Sequence, residues 1–111
     1  MKVYKTPLDF AKEIDGWTYG TDEEKQKLLN AGFKQDPNYS AGATFKIDDD
    51  TPLGWNSIDL SRRPNQKYVT AFINGQQFAY PDLDTAIARA TRKDGLSPYD
   101  GSLKWNGREW Y

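Results

Sequence analysis

The densest set of cation ligands in the chain is Asp48-Asp49-Asp50. A calcium loop of the EF-hand type starting at Asp48 would use Asp50, but Pro52 and Leu53 fall where an oxygen ligand and the turn glycine belong. The run therefore reads as an Asp-rich turn. Glu23-Glu24-Lys25 has the Glu-x-Lys spacing of some metal-dependent nucleases, yet no Pro-Asp element precedes it. It also sits in the first turn of a predicted helix, where the backbone dipole favours acids. A glycosidase-type pair needs two acids at a fixed separation in a cleft, and sixteen acids single out no such pair. The chain has no Cys and no His, which removes disulfides, Cys/His zinc sites, thiol nucleophiles and Ser-His-Asp triads within it. No Walker A or Gly-x-Gly-x-x-Gly pattern occurs. The expectation is a protein with no catalytic residue, no metal site and no cofactor, and so not an enzyme. A metal- or carboxylate-dependent hydrolase ranks last among the functional classes considered.

Aromatic planes set beside cations are what the chain does carry. Trp, Tyr and Phe make up 14% of it, and all five arginines lie beyond residue 60. Tyr68 and Phe72 with Arg62, Arg63 and Lys67 combine rings and positive charge as single-strand binders do. Trp105, Arg108 and Trp110 form a second group, and Trp, Tyr and Arg are the usual anchors of protein interfaces. The predicted partner-binding residues are Arg62, Arg63, Tyr68, Phe72, Trp105, Arg108 and Trp110. Charge decides between the two partner classes. Residues 1–60 carry seven Lys against eleven acids and residues 61–111 eight cations against five acids, for a net charge of -1. A phosphate-backbone binder normally has a basic surplus. The expected function is a stand-alone protein-protein interaction module, an inhibitor or accessory factor that occupies a host or defence protein. In size and composition the chain is similar to small phage-type accessory and anti-defence proteins. Single-stranded nucleic-acid binding is the alternative.

These residues must be positioned by a strand, turn, strand, helix unit spanning Lys67 to Lys93. Asn74-Gly75 between two apolar runs predicts a hairpin with a type I′ turn, which pairs Ile73 with Gln76, Ala71 with Phe78 and Val69 with Tyr80. Alternation then gathers Val69, Ala71, Ile73, Phe78 and Tyr80 on one face and Tyr68, Thr70, Phe72, Gln77 and Ala79 on the other. Asp82 can cap a helix whose stripe of Leu83, Ala86, Ile87 and Ala90 covers the first face, with Asp94-Gly95 as its stop. This pattern is similar to AP2-type DNA-binding domains, which pack a three-stranded sheet on one helix, although the Arg/Trp sheet pattern of that family is missing.

The rest of the chain predicts a short strand at Val3-Tyr4, a helix from Thr6 to Gly16, and a second helix from Thr21 ending at Gly32, with Phe33 folded back on Leu28. Residues 33–40 read as a loop, Ala43 to Ile47 as a half-buried strand, and residues 55–60 as a short strand of uncertain extent. Asn106-Gly107 predicts a second hairpin placing Trp105 opposite Arg108, Lys104 opposite Glu109 and Leu103 opposite Trp110, with an Arg-Trp cation-π contact. The expected fold is α+β, a small antiparallel sheet built on two Asn-Gly hairpins and packed with about three helices, in one domain over residues 1–111. The chain has no apolar run near the length of a membrane span, and MKVYKTPLDF holds no signal-like apolar stretch. The expected location is cytoplasmic, away from membranes.

Overall fold

The computed structural model describes residues 16–39 and 42–111. The predicted opening strand and first helix lie outside the described residues. The remainder is an α+β fold of two helices and five strands: α1 (Asp22–Asn30), β1 (Lys34–Asp36), β2 (Thr44–Asp48), β3 (Trp55–Asp59), β4 (Val69–Ile73), β5 (Gln76–Tyr80) and α2 (Leu83–Thr91). The strands form one antiparallel sheet in the order β1-β2-β3-β4-β5. The described residues hold two of the about three helices expected, the first lying outside them, and the sheet is wider than the three strands implied by the AP2 likeness. Among the described residues, no helix is long and apolar enough to cross a membrane.

Local chemistry explains where each element begins and ends. Thr21 caps α1 through a reciprocal box, its hydroxyl accepting from the Glu24 amide at 3.1 Å while the Glu24 carboxylate accepts from the Thr21 amide at 3.0 Å. The helix closes with the Gly32 amide bonded to the Leu29 carbonyl and the Phe33 amide to that of Leu28, the paired bonds of a Schellman motif around a left-handed Gly32. Asp82 caps α2 by accepting from the Thr85 amide at 2.7 Å. That helix stops earlier than Asp94-Gly95, with Arg92 in the left-handed conformation. The β4–β5 turn puts both Asn74 and Gly75 at positive φ, and Ile73 faces Gln76 across it.

Phe45, Ile58, Ala71 and Phe78 form one continuous row across β2 to β5, and their side chains point to the face on which the helices pack. Leu83, Ala86 and Ala90 of α2 are buried there, as are Leu28 and Phe33 from α1 and its cap. Lys27 and Asp84, 3.3 Å apart, link the two helices on this helical side. Asn56, fully buried on β3, is the polar exception within this layer. Its Nδ2 donates to the Ala90 carbonyl at 2.8 Å and to the Asp49 carboxylate, and its Oδ1 accepts from the Asn74 amide at 3.2 Å. One side chain thus joins β3 to the β2–β3 loop, the β4–β5 turn and the end of α2.

Two segments attach to the sheet's margins. Thr18 and Arg62 form an antiparallel bridge, which brings Gly20 against Leu60 so closely that a β-carbon there would lie 2.6 Å from Leu60 Cδ1. After α2, residues 97–103 are held by the Tyr80 hydroxyl donating to the Pro98 carbonyl at 2.6 Å, by Arg89 Nε donating to the Asp100 carbonyl at 2.7 Å, and by the Leu103 amide donating to the Ala79 carbonyl at 2.7 Å.

Candidate interaction surface

With both described helices on one side, the reverse of the sheet carries Thr44, Lys46, Ser57, Asp59, Thr70, Phe72 and Gln77 in register, Thr44 buried and the others half-buried or exposed. Among the described residues, no helix or strand lies over this reverse face. It is hollowed into a depression of about 380 Å³ whose lining adds Tyr39 and Trp55 to those side chains. Trp55 and Phe72 stack with ring centroids 6.2 Å apart and planes inclined by 29°. Both are half-buried by their neighbours, so each presents one ring edge or face outward.

Lys46 sets the electrostatics of this hollow. Its Nζ lies 4.6 Å from the centroid of Trp55 and 5.3 Å from that of Tyr39, and 3.2 Å from the Asp36 carboxylate. The Asn38 amide first, and Lys46 next, hold the Asp36 carboxyl below its ordinary value. The ammonium is therefore matched by a carboxylate and two ring faces of the chain itself. Asp59 adds a second carboxylate to the lining.

The seven predicted residues divide among three places. Phe72 is in the depression, and Tyr68 precedes it on the same face, half-buried, its carbonyl accepting from Gln66 Nε2 at 3.1 Å. Arg62 and Arg63 sit at the Thr18 bridge. Arg62 is turned inward: Nη2 lies 2.5 Å from Glu24 Oε1 and Nε donates to the Leu60 carbonyl. Arg63 is exposed, its guanidinium 5.7 Å from the centroid of Trp17.

Trp105, Arg108 and Trp110 belong to the C-terminal hairpin beyond β5. Its register differs from the two-residue expectation, for Trp105 faces Trp110 and Lys104 exchanges both backbone bonds with Tyr111. The cause is Asn106, whose Oδ1 accepts from the amides of Arg108 and Glu109 at 2.9 and 2.8 Å and so closes a longer turn. Arg108 ends up exposed in that turn, and the aromatic contact is between the two indoles, centroids 5.2 Å apart. The hairpin and β5 together enclose a groove of about 540 Å³, lined in part by Phe78, Tyr99, Trp105 and Trp110. Gln77 lines both this groove and the reverse-face depression, which makes the two hollows neighbours.

Sequence reasoning missed Tyr39, Lys46 and Trp55. Alternation along β2 places Lys46 opposite in facing to Phe45 and Ile47. That signal did not become a site because nothing in the sequence says that β3 lies between β2 and β4. Among the described residues, no group of three or more acids is positioned to hold a metal ion. Comparison with protein-family models, with curated proteins and with solved structures finds no match for this chain.

Proposed function

We propose that the chain is a protein-protein interaction module that acts by occupying a partner, with the reverse face of its sheet as the contact surface. The observation that carries this reading is the Trp55–Phe72 stack at the floor of a hollow whose cation, Lys46, already faces Asp36. Large, partly buried aromatic side chains of this kind are the usual interface anchors. A phosphate entering the same hollow would meet Asp36 beside Lys46, which among the described residues is the one cation lining it. An inhibitor or accessory role is the form of this proposal that needs no reacting group.

The test compares wild-type, Trp55→Ala and Phe72→Ala protein as immobilised baits in native-host extract, read by quantitative mass spectrometry, with the captured protein then purified for titration. Each substitution should weaken that partner by about tenfold or more. Unchanged affinity in both variants would overturn the reading. Salt-sensitive binding of a labelled single strand, lost in the same variants, would transfer the face to nucleic acid.

A further inference from the structure

We propose, resting on a protein partner as the ligand, that the partner supplies an extended segment which adds to the sheet at the outer edge of β5, pairing with the backbone of Gln77.

The two-residue turn makes Ile73 and Gln76 the closing hydrogen-bonded pair of the β4–β5 ladder. From there the pattern alternates, so Gln76, Phe78 and Tyr80 turn their backbone groups toward β4 while Gln77 and Ala79 turn theirs outward. Ala79 confirms the phase, since its carbonyl takes the Leu103 amide at 2.7 Å. Beyond Leu103 the chain leaves the edge to enter the Trp105–Trp110 hairpin, and among the described residues no hydrogen bond reaches the backbone of Gln77 from that side. The outward amide and carbonyl of Gln77 consequently stand at the groove bounded by Trp105 and Trp110.

The two margins of the sheet are guarded differently. β1 spans only Lys34–Asp36 and carries a charge at each end. Short length and charge are common protections against edge pairing. β5 runs Gln76-Gln77-Phe78-Ala79-Tyr80, longer and without a charge, a proline or a bulge. Its own C-terminal segment begins to pair with it and then diverges, which leaves a donor and an acceptor one step along at strand spacing. Extended polypeptide is the chemistry that satisfies both, with alternate side chains directed to the indoles and to the Phe72 side of Gln77. The hairpin beside the edge leaves a wedge, whereas a second copy of this sheet would need a flat margin.

A displayed library of random dodecapeptides, selected on the intact protein, supplies the probe. The enriched peptide is then synthesised with capped ends and titrated by tryptophan emission. Gln77→Ala keeps the backbone donor and trims only the side chain, so it is the reference for the proline variant. Gln77→Pro removes the outward N–H as well as the side chain, a substitution edge strands accommodate, and should bind at least tenfold more weakly than Gln77→Ala. A second arm leaves the protein untouched. N-methylation at alternate peptide amides should abolish binding in one phase and spare it in the other. Failure to enrich any peptide, equal binding by Gln77→Ala and Gln77→Pro with no N-methyl phase, or concentration-dependent self-association lost in Gln77→Pro would each overturn the proposal. The Trp55→Ala and Phe72→Ala comparison reads the reverse face separately, so edge pairing can fail while that face stands.

Discussion

The buried amide of Asn56 and the carbonyl of Ala90 are 2.8 Å apart, and this contact closes the end of α2 onto the middle strand of the sheet. Asn56 serves three groups at once, so no apolar residue of similar size replaces it. Asn56→Leu fills the space but leaves the Ala90 carbonyl, the Asn74 amide and the Asp49 carboxylate each short of a partner. Buried groups left unpaired cost about 1–3 kcal/mol each, and Asn56→Leu is expected to lose about 3 kcal/mol overall in urea unfolding. A loss below about 1 kcal/mol would show that the three contacts contribute little.

Tyr80 gives the fold a sensitivity to alkali. Burial pushes its phenol up to about 12, partly offset by the charge of Arg89. The neutral phenol is the form the folded state favours, so its contribution is complete below the ordinary value of 10.0, declines as pH rises through the interval up to about 12, and is spent above it. Tyr80→Phe removes the hydrogen bond to Pro98 at every pH and should cost about 1 kcal/mol at neutrality. The gap between wild type and Tyr80→Phe in denaturant midpoints should narrow from pH 10 upward. A gap that stays constant to pH 12 would contradict the assignment.

Glu24 and Arg62 couple the start of α1 to the β3–β4 connection. Burial raises the Glu24 carboxyl, but hydrogen bonds from Arg62 and the Thr21 amide and the Arg62 charge outweigh it, leaving the group below 4.5. A depressed carboxyl stabilises the fold above its unfolded value and loses that contribution as pH falls through the folded one. Glu24→Gln should therefore be less stable than wild type by about 1 kcal/mol at neutral pH, and the difference should vanish on acidification below 4.5. Thermal melts across that range test it, and a difference independent of pH would assign the cost to helix capping alone.

Legibility in the sequence tracked how local each signal is. Asn74-Gly75 fixed the β4–β5 register because only a few backbone conformations close so short a turn, and Thr21, Gly32 and Asp82 marked helix ends through bonds to near neighbours. β1 carries no strand signal, because three exposed or half-exposed polar residues on a sheet margin show no alternation of hydrophobicity. Asn106-Gly107 offers the same turn residues as Asn74-Gly75, yet the Asn106 side chain captures two amides and shifts the register, a choice that residue identity leaves open. The candidate surface was half legible for the same reason. Phe72 follows from alternation, whereas its partner Trp55 follows from strand order, which is a property of the whole sheet.

Strand order in this sheet is chain order, and that has a kinetic consequence. Each strand pairs with the one made just before it, so every ladder closes a short loop and none waits for a distant segment to arrive. The contacts that span long stretches of chain include the Thr18–Arg62 backbone bridge and the side-chain bonds from Glu24 to Arg62, Lys27 to Asp84 and Asn56 to Ala90. Chain-ordered pairing of this kind lowers the loop-closure cost of building the sheet relative to one whose neighbouring strands are far apart in sequence. The Trp55–Phe72 stack joins β3 to β4, so the floor of the hollow is made by a ladder of that local kind.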